Sequence, residues 1–151
     1  MNKKSNHSKV PNRNLTNQIK EGRKLSKSGQ VKQAIHIFDN LLLSFPDDTS
    51  LMLEYAKAMR DAQHYEIAKI KYKQALEKKS DNVNIVFSYA RFLVMLKEYK
   101  QAFELFEKAL SIEPHDNKLL TDYGNARVKN KDFTKANKLF EESLNLNSNN
   151  I

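Results

Sequence analysis

The stretch Val83–Pro114, which reads VNIVFSYARFLVMLKEYKQAFELFEKALSIEP, decides the fold of this chain. It contains two segments with helical periodicity, separated by a short polar break at Lys97 and Glu98. Residues at steps of three and four share one side of each segment: Val86, Tyr89, Ala90 and Leu93, then Tyr99, Ala102, Phe106 and Ala109. This spacing predicts two amphipathic helices joined by a turn. A hairpin of this size buries little apolar surface, so we expect it to stack against neighbouring hairpins.

The pattern occurs four times along the chain, at intervals of 34 residues. The sets that keep this interval are Ala34, Ala68, Ala102 and Ala136; Phe38, Tyr72, Phe106 and Phe140; Gly22, Ala56, Ala90 and Gly124; and Asn14, Asp48, Asn82 and Asp116. Agreement at this many positions without slippage indicates an internal repeat. We therefore predict four copies, at residues 15–48, 49–82, 83–116 and 117–150. Residues 1–14 are expected to form a disordered basic tail.

Local signals predict where the helices begin and turn. A polar residue precedes the first helix of each copy, and its side chain can accept hydrogen bonds from the free N–H groups there; these residues are Asn14, Asp48, Asn82 and Asp116. Gly29 is expected in the turn between the first two helices, where a positive φ is needed. In the first copy, Gln18 and Glu21 replace apolar residues, which indicates that this side of the helix does not pack against another repeat.

This 34-residue pattern resembles the tetratricopeptide repeat (TPR) family. The third copy carries the pattern as Tyr89-Ala90, Ala102, Phe106, Ala109 and Pro114, and the resemblance covers nearly everything after residue 14. It implies an all-α, right-handed α-solenoid of four helix-turn-helix units. It also implies a non-catalytic scaffold or adaptor that binds protein partners, although it does not say which partners.

The resemblance further implies which residues line a concave, peptide-binding groove. They are Ile19, Arg23, Leu53, Lys57, Arg60, Phe87, Arg91, Val94, Asn125 and Val128. Cations at Arg23, Lys57 and Arg91 would lie beside apolar side chains, an arrangement that suits a peptide or helical segment with acidic and apolar residues. The alternative interpretation is that these cations belong to ordinary solvated helix faces.

One recognition mode of the family does not fit this sequence. TPR domains that clamp the terminal carboxylates of chaperones need Lys, Asn and Arg at defined groove positions. Here Glu54 and Asp122 stand at two of those positions, in the two possible registers, and their charge would repel a carboxylate. We therefore do not expect a chaperone-tail clamp.

Composition restricts the other classes. The chain has 151 residues, no cysteine and a net charge of +8, and no apolar run is long enough to span a membrane. We expect a cytoplasmic protein. Four of the excess cations lie in the tail, as Lys3, Lys4, Lys9 and Arg13. The remaining charge is diffuse, which favours acidic protein partners over nucleic acid.

The sequence contains no grouping of residues that predicts catalysis. The histidines are His7, His36, His64 and His115, and none has the spacing of a metal-binding motif. No Gly-rich phosphate loop or nucleophile motif is present, so we expect no cofactor, no metal and no enzymatic activity. The alternative is that this chain is the N-terminal TPR region of a larger enzyme or assembly factor whose catalytic domain lies beyond residue 151.

The last helix retains apolar residues that no later repeat would cover. Leu139, Phe140 and Leu144 continue the apolar pattern into the end of the fourth copy. We expect them to be partly exposed, and exposed apolar surface of this kind favours a homodimer formed through the last helix.

Overall fold

A computed structural model describes residues 13–148 of the chain. Within that range the backbone forms eight helices and no strands. The helices are α1 (Arg13–Lys27), α2 (Val31–Ser44), α3 (Thr49–Asp61), α4 (Tyr65–Lys78), α5 (Val83–Met95), α6 (Tyr99–Ile112), α7 (Asn117–Lys129) and α8 (Phe133–Ser148). The predicted all-α fold is therefore confirmed.

The first helices of the later copies begin at capping residues, as the sequence predicts. Asp48 Oδ1 accepts hydrogen bonds from the backbone N–H groups of Ser50 and Leu51, at 2.9 and 3.0 Å. Asp116 Oδ1 accepts the equivalent pair at 2.7 and 2.9 Å, and Asn82 Oδ1 accepts one from the N–H of Ile85 at 3.2 Å. Each of these side chains satisfies N–H groups that have no partner within the helix.

The predicted cap at Asn14 is wrong. Helix α1 already begins at Arg13, so Asn14 lies inside the helix instead of preceding it. Residues 1–12 of the predicted basic tail, and residues 149–151 at the other end, lie outside the described residues.

The turns inside the four repeats share one backbone conformation. Positive φ values occur at Gly29, Gln63, Lys97 and Lys131, which are spaced by 34 residues and have φ of 81°, 63°, 62° and 63°. After each of them the next residue's N–H bonds back to a carbonyl near the helix end, as from Gln30 to Leu25 O at 2.9 Å. This left-handed closure reverses the chain within a few residues, and Gly29 confirms the predicted turn.

The described chain divides into two compact units, one ending at Ala68 and the other beginning at Lys69. In the first unit α1 packs against α2 and α3. The fully buried ring of Phe38 stacks on Tyr55 with ring centres 4.7 Å apart. Gly22 allows this packing, because a Cβ there would lie 2.8 Å from the same phenylalanine ring. The core of this unit is thus an aromatic pair under a bare helix backbone.

The second unit repeats this arrangement. Tyr72 of α4 stacks on Tyr89 of α5 with ring centres 5.4 Å apart, and Phe106 of α6 stacks on Tyr123 of α7 at 5.0 Å. Helices α5 and α6 pack together, as do α7 and α8. Each stack joins the second helix of one repeat to the first helix of the next, so the 34-residue period in sequence becomes a period of aromatic contacts.

We predict that Gly29→Ala lowers the free energy of unfolding by about 1 kcal/mol, because a side chain disfavours the left-handed conformation. No heavy atom lies within 4 Å of a Cβ built at Gly29, so the loss comes from the backbone alone. Urea unfolding of Ser28→Ala provides the neighbouring control. Equal stability of Gly29→Ala and the wild type would contradict the assignment of a strained turn.

Candidate functional site

The predicted groove cations of the first unit share one carboxylate. Arg23 Nη1 lies 3.1 Å from Glu54 Oε2, and Lys57 Nζ lies 3.0 Å from Glu54 Oε1. Arg60, the third cation of this set, pairs with Asp61 at 2.7 Å. The side chains of Arg23 and Lys57 remain 45% and 31% exposed, so Glu54 positions these two cations without burying them.

Helix α1 concentrates positive charge around Arg23. A shallow depression of about 510 Å³ is lined by Lys20, Arg23, Lys24, Lys27 and Ser28. The four cations follow one another at steps of one, three and four residues, which places them together on the helix surface. Four positive charges in one depression create a local potential that attracts anionic groups.

The second unit repeats the pairing seen at Arg23. Arg91 Nε lies 3.4 Å from Asp122 Oδ2, and the two residues have the same sequence separation as Arg23 and Glu54. The ring of Phe87 is approached by two cations, Arg91 at 5.7 Å and Lys118 at 5.6 Å from the ring centre. This surface therefore combines an aromatic ring, two cations and one carboxylate.

The apolar members of the predicted groove have different exposures. Leu53 and Val94 are only 9% and 8% exposed and belong to the core. Ile19 and Phe87 are partly buried, whereas Asn125 and Val128 are exposed. The structure thus leaves less apolar surface among the predicted groove residues than the sequence suggests.

Arg127 has a role that the sequence analysis missed. Its guanidinium carbon lies 3.8 Å from the ring centre of Phe103, and its nitrogens lie 3.1 Å from Asp132 and 3.5 Å from Glu107. The arginine also donates a hydrogen bond to the hydroxyl of Tyr123. Other copies have an apolar residue at this position, so the sequence signal was an arginine replacing a core residue, with Asp132 five residues later.

Burial of the Tyr123 side chain, together with its hydrogen bond to Glu107, raises the pKa of that hydroxyl to about 12. The nearby Arg127 opposes this effect. Tyr123 consequently remains a hydrogen-bond donor at neutral pH, which suits a carboxylate acceptor. The cluster joins α6 and α7 through polar as well as aromatic contacts.

Of the three residues in the predicted dimer surface, one is strongly exposed. Leu144 of α8 is 64% exposed, whereas Leu139 and Phe140 are partly buried. The ring of Phe140 lies directly over Gly124 of α7. Phe133, at the start of α8, is 59% exposed and adds a second apolar group to this helix.

The part of the chain that the structure describes holds no cluster of three His, Asp or Glu side chains arranged to bind a metal ion. Nor does any helix between residues 13 and 148 have the length and apolar character needed to cross a membrane.

Two protein-family models match the sequence. The model described as anaphase-promoting complex, cyclosome, subunit 3 matches residues 27–109, and a model described as tetratricopeptide repeat matches residues 95–150. No curated protein matches the sequence.

Solved structures share the fold at low sequence identity. A crystal structure of MamA has a TM-score of 0.74 and 17% identity, over 91% of this chain and 80% of that one. MamA (41-end) from Desulfovibrio magneticus RS-1 gives 0.73 and 16%, over 89% and 76%. PilF of Pseudomonas aeruginosa gives 0.71 and 23%, over 89% and 62%. These similarities confirm an α-solenoid of helix-turn-helix repeats.

We predict that two neighbouring residues on α3 respond differently to truncation of their interactions. Leu53→Ala should lower the free energy of unfolding by about 2–5 kcal/mol, because a buried leucine is replaced by a cavity. Glu54→Gln should change it by less than about 1 kcal/mol, because its ion pairs are partly solvated. Urea unfolding of both variants tests this, and equal effects would contradict the assignment of Leu53 to the core.

Proposed function

The chain belongs to the tetratricopeptide repeat family, and from that premise we propose that it is a non-catalytic scaffold whose partner is an acidic, partly apolar protein segment. One observation carries the proposal: the depression on α1 is lined by the four cations Lys20, Arg23, Lys24 and Lys27. In this family a helix-lined surface binds segments of other proteins, so the charge of that surface selects among them.

Charge balance supports an acidic partner. Among the described residues, Glu54 is the carboxylate that pairs with Arg23. The ammonium groups of Lys20, Lys24 and Lys27 are exposed on the same helix. A partner carboxylate placed between them would form charge-assisted hydrogen bonds without first having to displace Glu54. Exposed charges of this kind also accelerate encounter with an oppositely charged partner.

The apolar part of the proposal rests on Ile19 and Phe87. Both residues are partly buried, and each has surface left to contact a ligand side chain. Phe87 lies beside Arg91 and Lys118, so an acidic side chain next to an apolar one would meet complementary groups within the second unit as well. Each unit by itself therefore offers the chemistry that we assign to the partner. A cytoplasmic location accords with the absence of cysteine.

We predict that Lys20→Glu, Lys24→Glu and Lys27→Glu together weaken binding of a fluorescent amphipathic Glu/Leu peptide about 10-fold or more, because the attraction becomes repulsion. Fluorescence anisotropy at two salt concentrations measures the change, and the wild-type affinity should fall as salt rises. A Lys/Leu peptide of the same length provides the uncharged-surface test of apolar binding alone.

The matched control reverses three exposed lysines elsewhere, at Lys100, Lys129 and Lys138. This control changes the net charge equally, so it separates a local site from a general charge effect. Circular dichroism would first establish that both variants keep their helices. Equal affinities of the α1 variant and the wild type would refute the proposed site.

A homodimer formed through α8 stays a prediction, and the exposure of Leu144 and Phe133 supports it. We predict that Leu144→Lys together with Phe133→Lys shifts a concentrated sample toward monomer, because two apolar contacts become charged. Light scattering over a range of concentrations measures this. A wild-type protein that remains monomeric at the highest concentration would contradict the prediction.

A further inference from the structure

The three aromatic stacks differ in what surrounds the tyrosine hydroxyl. Tyr55 Oη donates a hydrogen bond to Asp39 Oδ1 at 3.1 Å, and Tyr123 Oη donates one to Glu107 Oε1 at 2.8 Å. In both cases the acceptor directly follows the stacked phenylalanine and precedes the tyrosine by 16 residues. A carboxylate at this repeat position therefore satisfies the buried hydroxyl of the next repeat.

The stack between Tyr72 and Tyr89 lacks that carboxylate. Lys73 occupies the equivalent position. Tyr89 is only 4% exposed, and its hydroxyl has no hydrogen-bond partner within residues 13–148. Burial, and then the charge of Glu98, raise the pKa of Tyr89 to about 12. The hydroxyl therefore keeps its proton and needs an acceptor.

A depression of about 500 Å³ opens at this place, between α4, α5 and α6. Its lining includes Lys73, Leu76, Glu77, Tyr89, Gln101 and Glu104. All of these residues lie in the unit that begins at Lys69. The surface thus combines one cation, two carboxylates and a buried hydroxyl donor with apolar side chains that can cover the stem of an inserted residue.

The next interface along the chain shows which chemistry fits this place. Adding 34 to Lys73 and to Leu93, which also lines the depression, gives Glu107 and Arg127. Those two side chains form an ion pair at 3.5 Å, and both hydrogen-bond to the hydroxyl of Tyr123. Between α6 and α7, an acidic and a basic side chain together surround the tyrosine that the α4–α5 interface leaves with no acceptor.

We propose that the depression around Tyr89 binds a protein segment that inserts an acidic side chain beside a basic one. The acid accepts hydrogen bonds from Tyr89 and Lys73, as Glu107 does from Tyr123. The base faces Glu77 and Glu104, whose charge would otherwise repel the acid. A helix that carries Glu and Arg one turn apart presents this pair on one side.

This site is independent of the one proposed on α1. The two surfaces share no residue, and they lie in different units of the chain. The α1 surface selects for acidic character in general, whereas the Tyr89 surface requires a paired acid and base. One site can therefore fail its test while the other passes.

The first experiment supplies the missing acceptor from within the chain. Lys73→Glu with Glu77→Ser copies Glu107 and Ser111 of the next repeat. We expect this double variant to raise the midpoint of thermal unfolding by about 2–4 °C, a shift typical of one added hydrogen bond in a chain of this size. Glu77→Ser alone is the control.

A double-mutant cycle then identifies the contact. Tyr89→Phe should lower the midpoint in the Lys73→Glu, Glu77→Ser background, because it removes the new donor. In the wild-type background it should leave the midpoint unchanged or raise it, because that hydroxyl has no acceptor. Equal effects of Tyr89→Phe in the two backgrounds would overturn the structural premise.

The second experiment tests binding. An alanine-based helical peptide with one Glu and one Arg a turn apart is titrated into protein with isotopically labelled tyrosine, and the NMR signals of Tyr89 are followed. We expect a saturable shift, and affinity at least about 10-fold lower when Gln replaces the Glu of the peptide. The Lys73→Glu, Glu77→Ser variant should lose the shift, because its own carboxylate occupies the site.

Two results would overturn the proposal. One is the absence of any saturable shift at millimolar peptide, and the other is a shift that the Gln peptide or the filled-site variant reproduces. The variant Lys20→Glu, Lys24→Glu, Lys27→Glu should bind this peptide as the wild type does. Loss of binding in that variant would show that the peptide uses the α1 surface instead.

Discussion

Stacking between aromatic rings of consecutive repeats is the contact on which the rest of this structure depends. A two-helix repeat cannot bury its own apolar side, so its stability comes from the neighbouring repeat. Phe38 on Tyr55, Tyr72 on Tyr89, and Phe106 on Tyr123 supply that contact, with ring centres about 5 Å apart. Large stacked rings contribute both buried area and a preferred geometry, and both set the spacing of successive helices.

The same stacks bring a polar group into the core, and the chain treats that group differently at each interface. The Tyr55 hydroxyl has Asp39 as acceptor, and the Tyr123 hydroxyl has Glu107 together with Arg127. Tyr89 faces Lys73 and an open depression. In a repeat protein, equivalent positions serve as internal references, so one that departs from the others separates a requirement of the fold from a feature of one surface.

Electrostatics at the predicted groove shows why side-chain identity alone is a poor guide to a binding surface. Arg23 and Arg91 are the cations that the repeat pattern predicts, yet Glu54 and Asp122 pair with them across neighbouring first helices. The lysines around Arg23 on α1 are not restrained in this way, and they change the balance in favour of an anionic ligand. Local net charge, which counts both signs, describes the surface better than the cations alone.

The sequence by itself determined the helices, the caps at Asp48, Asn82 and Asp116, the turn at Gly29 and the aromatic core. These features follow from local backbone chemistry and from a period of 34 residues, both of which can be seen without a fold. Only the tertiary structure decided that Leu53 and Val94 are core residues, that Glu54 serves two cations and that Arg127 is enclosed by Phe103, Glu107 and Asp132. The physical reason is that burial and charge pairing depend on which side chains meet across repeats. The start of α1 at Arg13 likewise differed, because a single polar residue does not determine where a helix begins.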